Sequence, residues 1–391
     1  MIEGSVKVVG GREKKLQHGY PWVQRGEISE VQGTPTPGAL VRIINFRNET
    51  IGIGTYNPQS RFPVRVLTTK DEPIDRAFFE RRLECALRYR QRVVRDTNAM
   101  RLVFSESDGL PGLIIDQYAD YLVVQVRTLG MERLRALWLP TLIDRLEPRG
   151  IIERSEMASR AEEGLEPFAG VLYGDAPELI EIEESGLTFL VPTDAGRKTG
   201  FYLDQRENRR RLAAQVRPGE RVLDLFCYTG AFALYAARAG AHAVGVDILP
   251  DAIDLAEVHA RRNRLEAHWI VENAFDWLPQ AAEQGAQFDW IVLDPPAIAK
   301  RQDQKDSLRW AIWKLVYHAL PLLREGGRLV VCSCAYQLSL VEMLDTVRLA
   351  ATDRATPLYL EEVTFQAPDH PYLLQFPESL YLKCLWTRVW S

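Results

Sequence analysis

Residues 221–247, RVLDLFCYTGAFALYAARAGAHAVGVD, restrict the fold of this chain more than any other stretch. Arg221–Leu225 reads as a buried strand, and the turn that follows contains Gly230. An alanine-rich run over 231–239 has helical character, and a second strand over Ala243–Val246 delivers Asp247 to its carboxyl end. Strand, crossover helix and strand in this order imply a parallel pair. Ligands of open α/β sheets bind at the carboxyl ends of the strands, where a helix begins. Gly230 permits close backbone approach there, and Asp247 is placed to accept hydrogen bonds from two ribose hydroxyls. This arrangement suits a nucleoside cofactor.

A dinucleotide site would show G-x-G-x-x-G, because a pyrophosphate needs bare backbone against it. The loop here is D-L-F-C-Y-T-G, with one glycine and two aromatic residues. It suits a ligand without phosphates, and S-adenosylmethionine, an adenosine carrying a sulfonium amino acid, fits. A Rossmann-like domain used only as scaffold is the alternative.

Strand–helix alternation continues downstream. Pro250–Asn263 reads as a helix, His268–Glu272 as a strand, and Phe288–Leu293 as an apolar strand ending in Asp294-Pro295-Pro296. Ser307–Leu323 reads as a helix closed by Gly326-Gly327, and Arg328–Cys332 as another buried strand. Leu358–Phe365 and Leu380–Val389 form a late pair. Seven strands so arranged match the class I methyltransferase sheet, whose last strand runs antiparallel.

At 391 residues the chain can hold two or three domains, each with its own core. No stretch approaches 18 uninterrupted apolar residues, and MIEGSVKVVGG lacks the apolar region of a signal peptide. Five irregularly spaced cysteines give neither a disulfide framework nor a zinc pair. A cytoplasmic protein without a resident metal is expected. The net charge of −5 does not advertise a nucleic-acid binder. Residues 1–70, however, carry ten basic and five acidic side chains. Their β-like runs VKVV, ALVRIIN, IGIGTYN and FPVRVLT predict a small basic β-barrel, either an RNA-gripping module or an ordinary soluble one. Residues 75–190 read as a mixed α/β segment. It opens with an arginine-rich amphipathic helix over Asp75–Arg95, followed by turn-punctuated strands and a helix over Met131–Leu146.

The chemistry is expected where the strand ends converge. Two prolines stiffen the loop after Asp294, so a flat base could pack there with Asp294 touching its edge. Cys332-Ser333-Cys334-Ala335 leaves the next strand at the same sheet edge. Buried cysteines are usually small hydrophobes, but Cys334 lies past the apolar run, where a nucleophile could reach a substrate. Cytosine C5 needs such a nucleophile, because it cannot attack a sulfonium unaided. A thiolate at C6, with N3 served by a carboxyl group, makes C5 enamine-like. Methylation of an exocyclic amine or a ring nitrogen needs no thiol.

Several segments together carry a family resemblance: HGYPWVQRGEI (18–28), SESDGLPGLIIDQY (105–118), GRKTGFYLDQRENR (196–209), VLDLFCYTGAFAL, VLDPPAIAK (292–300), CSCA (332–335) and DHP…PESLYLK (369–383). The chain resembles the large-subunit (23S) ribosomal RNA cytosine-C5 methyltransferases that carry an N-terminal PUA domain, over nearly its whole length. The resemblance implies a PUA barrel over 1–74, a central domain over 75–190 and a methyltransferase domain over 191–391. It implies that Asp224, Phe226 and Gly230 hold the methionine part of S-adenosylmethionine and that Asp247 binds ribose. Asn273, Ala274 and Asp276 would lie near adenine, with Asp294 at the methyl end. Phe201, Asp204 and Arg206 would close the pocket, and Arg206 serves equally well as a structural residue. Cys334 aligns with the nucleophile of the family's S-C-S and Asp294 with its D-P-P aspartate, which makes these two the catalytic pair. The implied partner is 23S ribosomal RNA or its precursor, with no membrane and with a homodimer admissible.

Three positions depart from the family pattern: Ala335 for the second serine of S-C-S, Ile298 where relatives often have Phe, and Arg197 where they often have Gln. Ala297 follows the double proline where two-cysteine RNA methyltransferases have Cys, so the base that takes the C5 proton is unassigned. Methylation of a purine nitrogen, and a non-catalytic RNA-binding assembly factor, remain open beside the cytosine reading.

Overall fold

The computed structural model describes residues 2–193, 200–296 and 305–390. The expectations for Arg197, Ala297 and Ile298, and the GRKT and AIAK parts of the motifs, lie outside the described residues. The chain divides into two compact units. The first comprises Met1–Gly186, Val191–Leu203 and Pro368–Ser379; the second comprises Leu187–Leu190, Asp204–Ala367 and Leu380–Ser391.

The first unit contains a six-stranded sheet in the order Trp22–Val23, Val64–Thr68, Thr50–Tyr56, Ala39–Ile44, Ile2–Val8 and Ile28–Gly33. Its apolar residues Val6, Val8, Val23, Val41, Ile43 and Val64 form one closed core. A five-stranded sheet follows, ordered Phe168–Gly174, Gly150–Ser155, Tyr121–Val126, Leu113–Tyr118 and Ala99–Phe104. The arginine-rich helix covers Arg76–Val93, and Asp75 caps it by accepting the Phe78 N–H at 3.0 Å. It buries Phe78, Phe79, Leu83 and Ala86, the expected face, and also Arg90, which the pattern places among solvated residues. Arg90 is buried because Asp108 grips it with both carboxylate oxygens, at 2.5 and 2.8 Å. The helix expected over Met131–Leu146 is two helices, Leu129–Arg133 and Arg135–Leu146.

The second unit is built on a seven-stranded sheet. Its strands are β1 (Arg221–Leu225), β2 (His242–Asp247), β3 (Ala267–Val271), β4 (Phe288–Leu293), β5 (Leu323–Ser333), β6 (Leu358–Phe365) and β7 (Lys383–Val389). Their order is β3-β2-β1-β4-β5-β7-β6, and β7 runs antiparallel to β5. The helices are α1 (Arg206–Gln215), α2 (Ala231–Arg238), α3 (Pro250–Asn263), α4 (Ala274–Glu283), α5 (Lys305–Ala319) and α6 (Leu340–Asp353). This is the expected class I methyltransferase sheet.

Alternation along the buried strands assigns the two faces. Leu223, Leu225, Ile291, Leu293, Leu329 and Val331 pack with Leu278 of α4, Leu315 of α5 and Val347 of α6. Val222, Val292, Val330 and Cys332 pack on the other face with Leu212 of α1 and Phe232 and Ala236 of α2. Gly326 and Gly327 do not close a helix. They lie inside β5, where the pairing with β4 shifts register between Phe288 and Trp290 and Gly326 takes φ 70°. Among the described residues, no helix is long and apolar enough to cross a membrane.

Candidate active site

Parallel pairing sets the carboxyl ends of β2, β1, β4 and β5 side by side, and the turn after β1 forms the floor of the site. Phe226 and Tyr228 adopt φ 64° and 51°, a left-handed backbone that costs such side chains about 1–2 kcal/mol each. Neighbouring bonds hold that strain. The N–H groups of Phe226 and Cys227 both donate to Val246 O, at 2.9 and 3.1 Å. The Tyr228 N–H donates to Asp247 Oδ2 at 2.8 Å, and the Leu249 N–H donates to Asp247 Oδ1 at 3.0 Å. Asp247 therefore organises two backbone segments, and each oxygen retains a lone pair for a further donor.

Gly230 takes φ 78° and caps α2, but its missing side chain makes room for protein. A Cβ there would overlap the ring of Trp269, which also fills the space beside Gly245. The close approach expected of Gly230 is to this indole.

Asp224 sits inside β1 with 1% of its surface exposed. Its Oδ2 accepts the Ala233 N–H at 3.0 Å, while Oδ1 has no hydrogen-bond partner among the described residues. Burial raises its pKa well above the usual carboxylate range, and the nearby Asp294 and Asp247 raise it further. The Ala233 N–H and the charge of Arg209 oppose them. Three carboxylates at adjacent strand ends make a site that attracts a cation and repels a phosphate. S-adenosylmethionine, which carries a sulfonium and an ammonium group and no phosphate, meets both conditions.

Asn273 caps α4 by accepting the Phe275 N–H at 3.0 Å. Ala274 is buried behind it and Asp276 is exposed in the first turn. Phe275 meets Phe226 edge to face, with centroids 6.1 Å apart. Phe275 thus packs beside the turn that holds Phe226.

Phe201 belongs to the first unit, where its N–H donates to the Tyr118 hydroxyl at 3.3 Å. In the second unit, Asp204 Oδ2 accepts from the Tyr381 hydroxyl at 2.6 Å, and Arg206 is fully buried with its Nε 3.4 Å from Glu207. Asn208 bridges Gln205 at 2.6 Å and the Cys384 sulfur at 3.3 Å, and accepts from the Thr364 hydroxyl at 2.6 Å.

Asp294 and Cys334 leave neighbouring parallel strands at the same end. The Asp294 N–H reaches back to Leu225 O at 3.4 Å, Pro295 is buried and Pro296 is exposed. The two thiols of the C-S-C run differ. Cys332 is fully buried and its pKa is pushed well above the ordinary thiol value by burial and by Cys384, whereas Cys334 is partly exposed. Ala335 is 2% exposed and packs in the apolar core, so the departure from S-C-S puts a methyl group where the core takes one.

Two residues the sequence pattern did not single out hold this site. His259 of α3 is fully buried, with Nε2 accepting the Leu190 N–H at 2.8 Å. Nδ1 therefore carries the proton and donates to Thr229 O at 3.0 Å, fixing the turn before Gly230. Burial lowers its pKa to about 4, so it stays neutral. Lys383, the last residue of the PESLYLK segment, is 4% exposed and donates to Ala335 O at 2.9 Å and Leu338 O at 2.7 Å. Neither belongs to a pattern with a known chemical spacing; only the resemblance flagged the segment around Lys383.

A family model described as a PUA-like domain matches residues 6–69, and one described as a methyltransferase domain matches residues 217–369. The chain is similar to the ribosomal RNA large subunit methyltransferase I of Shewanella denitrificans, 38% identical over 398 residues that cover 98% of this chain and 99% of the relative. It is also similar to the protein of that name from Aeromonas hydrophila, 38% identical over 397 residues that cover 99% and 100%. Among solved structures, a Streptococcus mutans chain described as a SAM-dependent methyltransferase superposes with a TM-score of 0.85 at 23% identity, covering 100% of both chains. A methyltransferase complexed with SAH gives 0.86 at 23% identity and the same coverage.

Proposed function

The chain belongs to the ribosomal RNA large subunit methyltransferase I family, and on that premise we propose that it methylates C5 of a cytosine in 23S ribosomal RNA. The observation that carries this reading is a partly exposed thiol, Cys334, that leaves β5 at the same edge of the sheet where Asp294 leaves the neighbouring β4. Methylation of a purine nitrogen would leave that thiol without work.

S-adenosylmethionine supplies the electrophilic methyl group. Its ribose falls to Asp247, its adenine to the Asn273–Asp276 turn and its amino-acid part to Asp224, Phe226 and the Gly230 turn. Asp204 and Arg206 are the residues of the second unit assigned to closing the pocket. The work of the chain is to activate the base, taken out of the RNA stack. The Cys334 thiolate forms a bond to C6 while the Asp294 carboxyl shares its proton with N3, so the displaced electron pair collects at C5. After C5 takes the methyl group, a base accepts the C5 proton, the C5–C6 double bond re-forms as the thiolate leaves C6, and N3 returns its proton to Asp294. The PUA-like barrel supplies RNA affinity, and the compartment is the cytoplasm.

The test is methyl transfer to unmodified ribosomal RNA, with the product nucleoside identified by mass spectrometry. Wild type should give 5-methylcytidine and Cys334→Ala should give none. A methylated purine, formed equally well by the variant, would refute the thiol mechanism while leaving the methyltransferase fold in place.

A further inference from the structure

Lys383 stands where a charge is expensive. The residue is 4% exposed and lies at the start of β7, opposite Ser333 in the antiparallel pairing with β5. Its two hydrogen bonds, to Ala335 O and Leu338 O, grip the turn that begins at Cys334. A side chain needed only for packing there would be apolar, because burying an ammonium costs free energy unless its charge is used.

The surrounding groups show where that charge acts. Cys384 is next to Lys383 on β7, and burial pushes its thiol up, keeping it protonated. Cys332 faces Cys384 across the strands and is held neutral in the same way. Glu342 on α6 is ionised, its pKa held at about 2 by Lys305 and Ser339, and its charge also acts on Lys383. Asp294 at the end of β4 acts on both buried thiols. Cys334, one residue before the carbonyl that Lys383 grips, is partly exposed. We infer that Lys383 is a positioning residue that clamps the Cys334 turn and, as a buried cation, holds the Cys334 sulfur in its thiolate form.

This inference rests on the reading of Cys334 as nucleophile. Burial lowers the Lys383 pKa to about 8, and the charges of Cys334, Cys384 and Glu342 work against that fall. The effect on the sulfur should therefore be greatest below that pH and fade above it. Arginine in the same place would keep its charge throughout.

The experiment is the pH dependence of iodoacetamide alkylation at Cys334, read peptide by peptide by mass spectrometry on the full chain without RNA. Exposed Cys85 serves as the internal reference. Lys383→Met should move the Cys334 midpoint upward by about one pH unit, making alkylation roughly tenfold slower at neutral pH. Lys383→Arg should keep the low midpoint and should not lose its advantage above pH 8. S-adenosylmethionine binding reports folding of each variant. If Lys383→Met does not fold, Lys383→Gln, which also removes the charge, takes its place in the comparison with wild type. Identical profiles for wild type and the folded variants would overturn the inference and leave Lys383 a structural clamp. Continued synthesis of 5-methylcytidine by Cys334→Ala would instead refute the nucleophile, whatever the thiol profiles.

Discussion

Asp224 shows how a single side chain can carry the logic of a site. In the sequence it is one acid at the end of a strand, and its neighbours Asp247 and Asp294 lie 23 and 70 positions further on. Parallel pairing of β2, β1 and β4 brings the three together, and Asp224 then holds its proton more tightly than an ordinary carboxyl. A bound cation reverses this by favouring the carboxylate. S-adenosylmethionine binding should therefore release protons, up to about one per site, and its affinity should rise with pH in the range where free Asp224 is protonated. SAH, which lacks the sulfonium charge, should release fewer. Calorimetry in buffers of different ionisation enthalpy measures both, and binding of S-adenosylmethionine without proton release would contradict the assignment. The place of Asp247 at the carboxyl end of β2 was readable from the sequence. Its grip on the Tyr228 and Leu249 amides was not, because loop geometry leaves no mark on local sequence.

The turn between β1 and α2 is a strained element stabilised from outside itself. Its left-handed residues Phe226, Tyr228 and Gly230 depend on Val246, Asp247, His259 and Trp269, which come from β2, α3 and β3. Gly230→Ala should thus cost twice, about 1–2 kcal/mol for its backbone and about 1–3 kcal/mol for overlap with Trp269. Chemical denaturation should show the loss. Adding Trp269→Leu should recover only the second part; full recovery would mean that the backbone angle carries no cost. The existence and type of the sheet elements were readable because their apolar runs are long and periodic. Less was readable where interactions from elsewhere in the chain decide. Gly326 and Gly327 look like a helix terminator but form an irregularity within β5, and the Arg90 guanidinium is buried by Asp108.

Across the chain, the excess of basic residues in the first 70 positions pointed to RNA, but the structure divides them by role. Lys15 sits 3.5 Å from Glu27 and 3.5 Å above the Tyr20 ring, so it belongs to the barrel's own framework. Lys14 is exposed. Lys14→Glu should weaken binding to ribosomal RNA more at low salt than at high salt, because a cation withdrawn from the phosphate backbone releases no counterion and so lowers the salt dependence. Lys15→Glu should lower the melting temperature as well. Filter binding across a salt series, beside thermal unfolding, separates the two; unchanged affinity for Lys14→Glu at every salt would place the grip elsewhere. Periodicity in the apolar runs was enough to set the architecture of the sheet, since burial on one or both faces is written locally in which positions can be apolar. The glycine and aromatic content of the turn after β1 likewise favoured a phosphate-free nucleoside. Which polar groups meet is a different matter. The convergence of Asp224, Asp247 and Asp294, the fixed tautomer of His259 and the hold of Lys383 on the Cys334 turn come from strand order and register. Interactions between residues tens of positions apart exist only once the chain has folded.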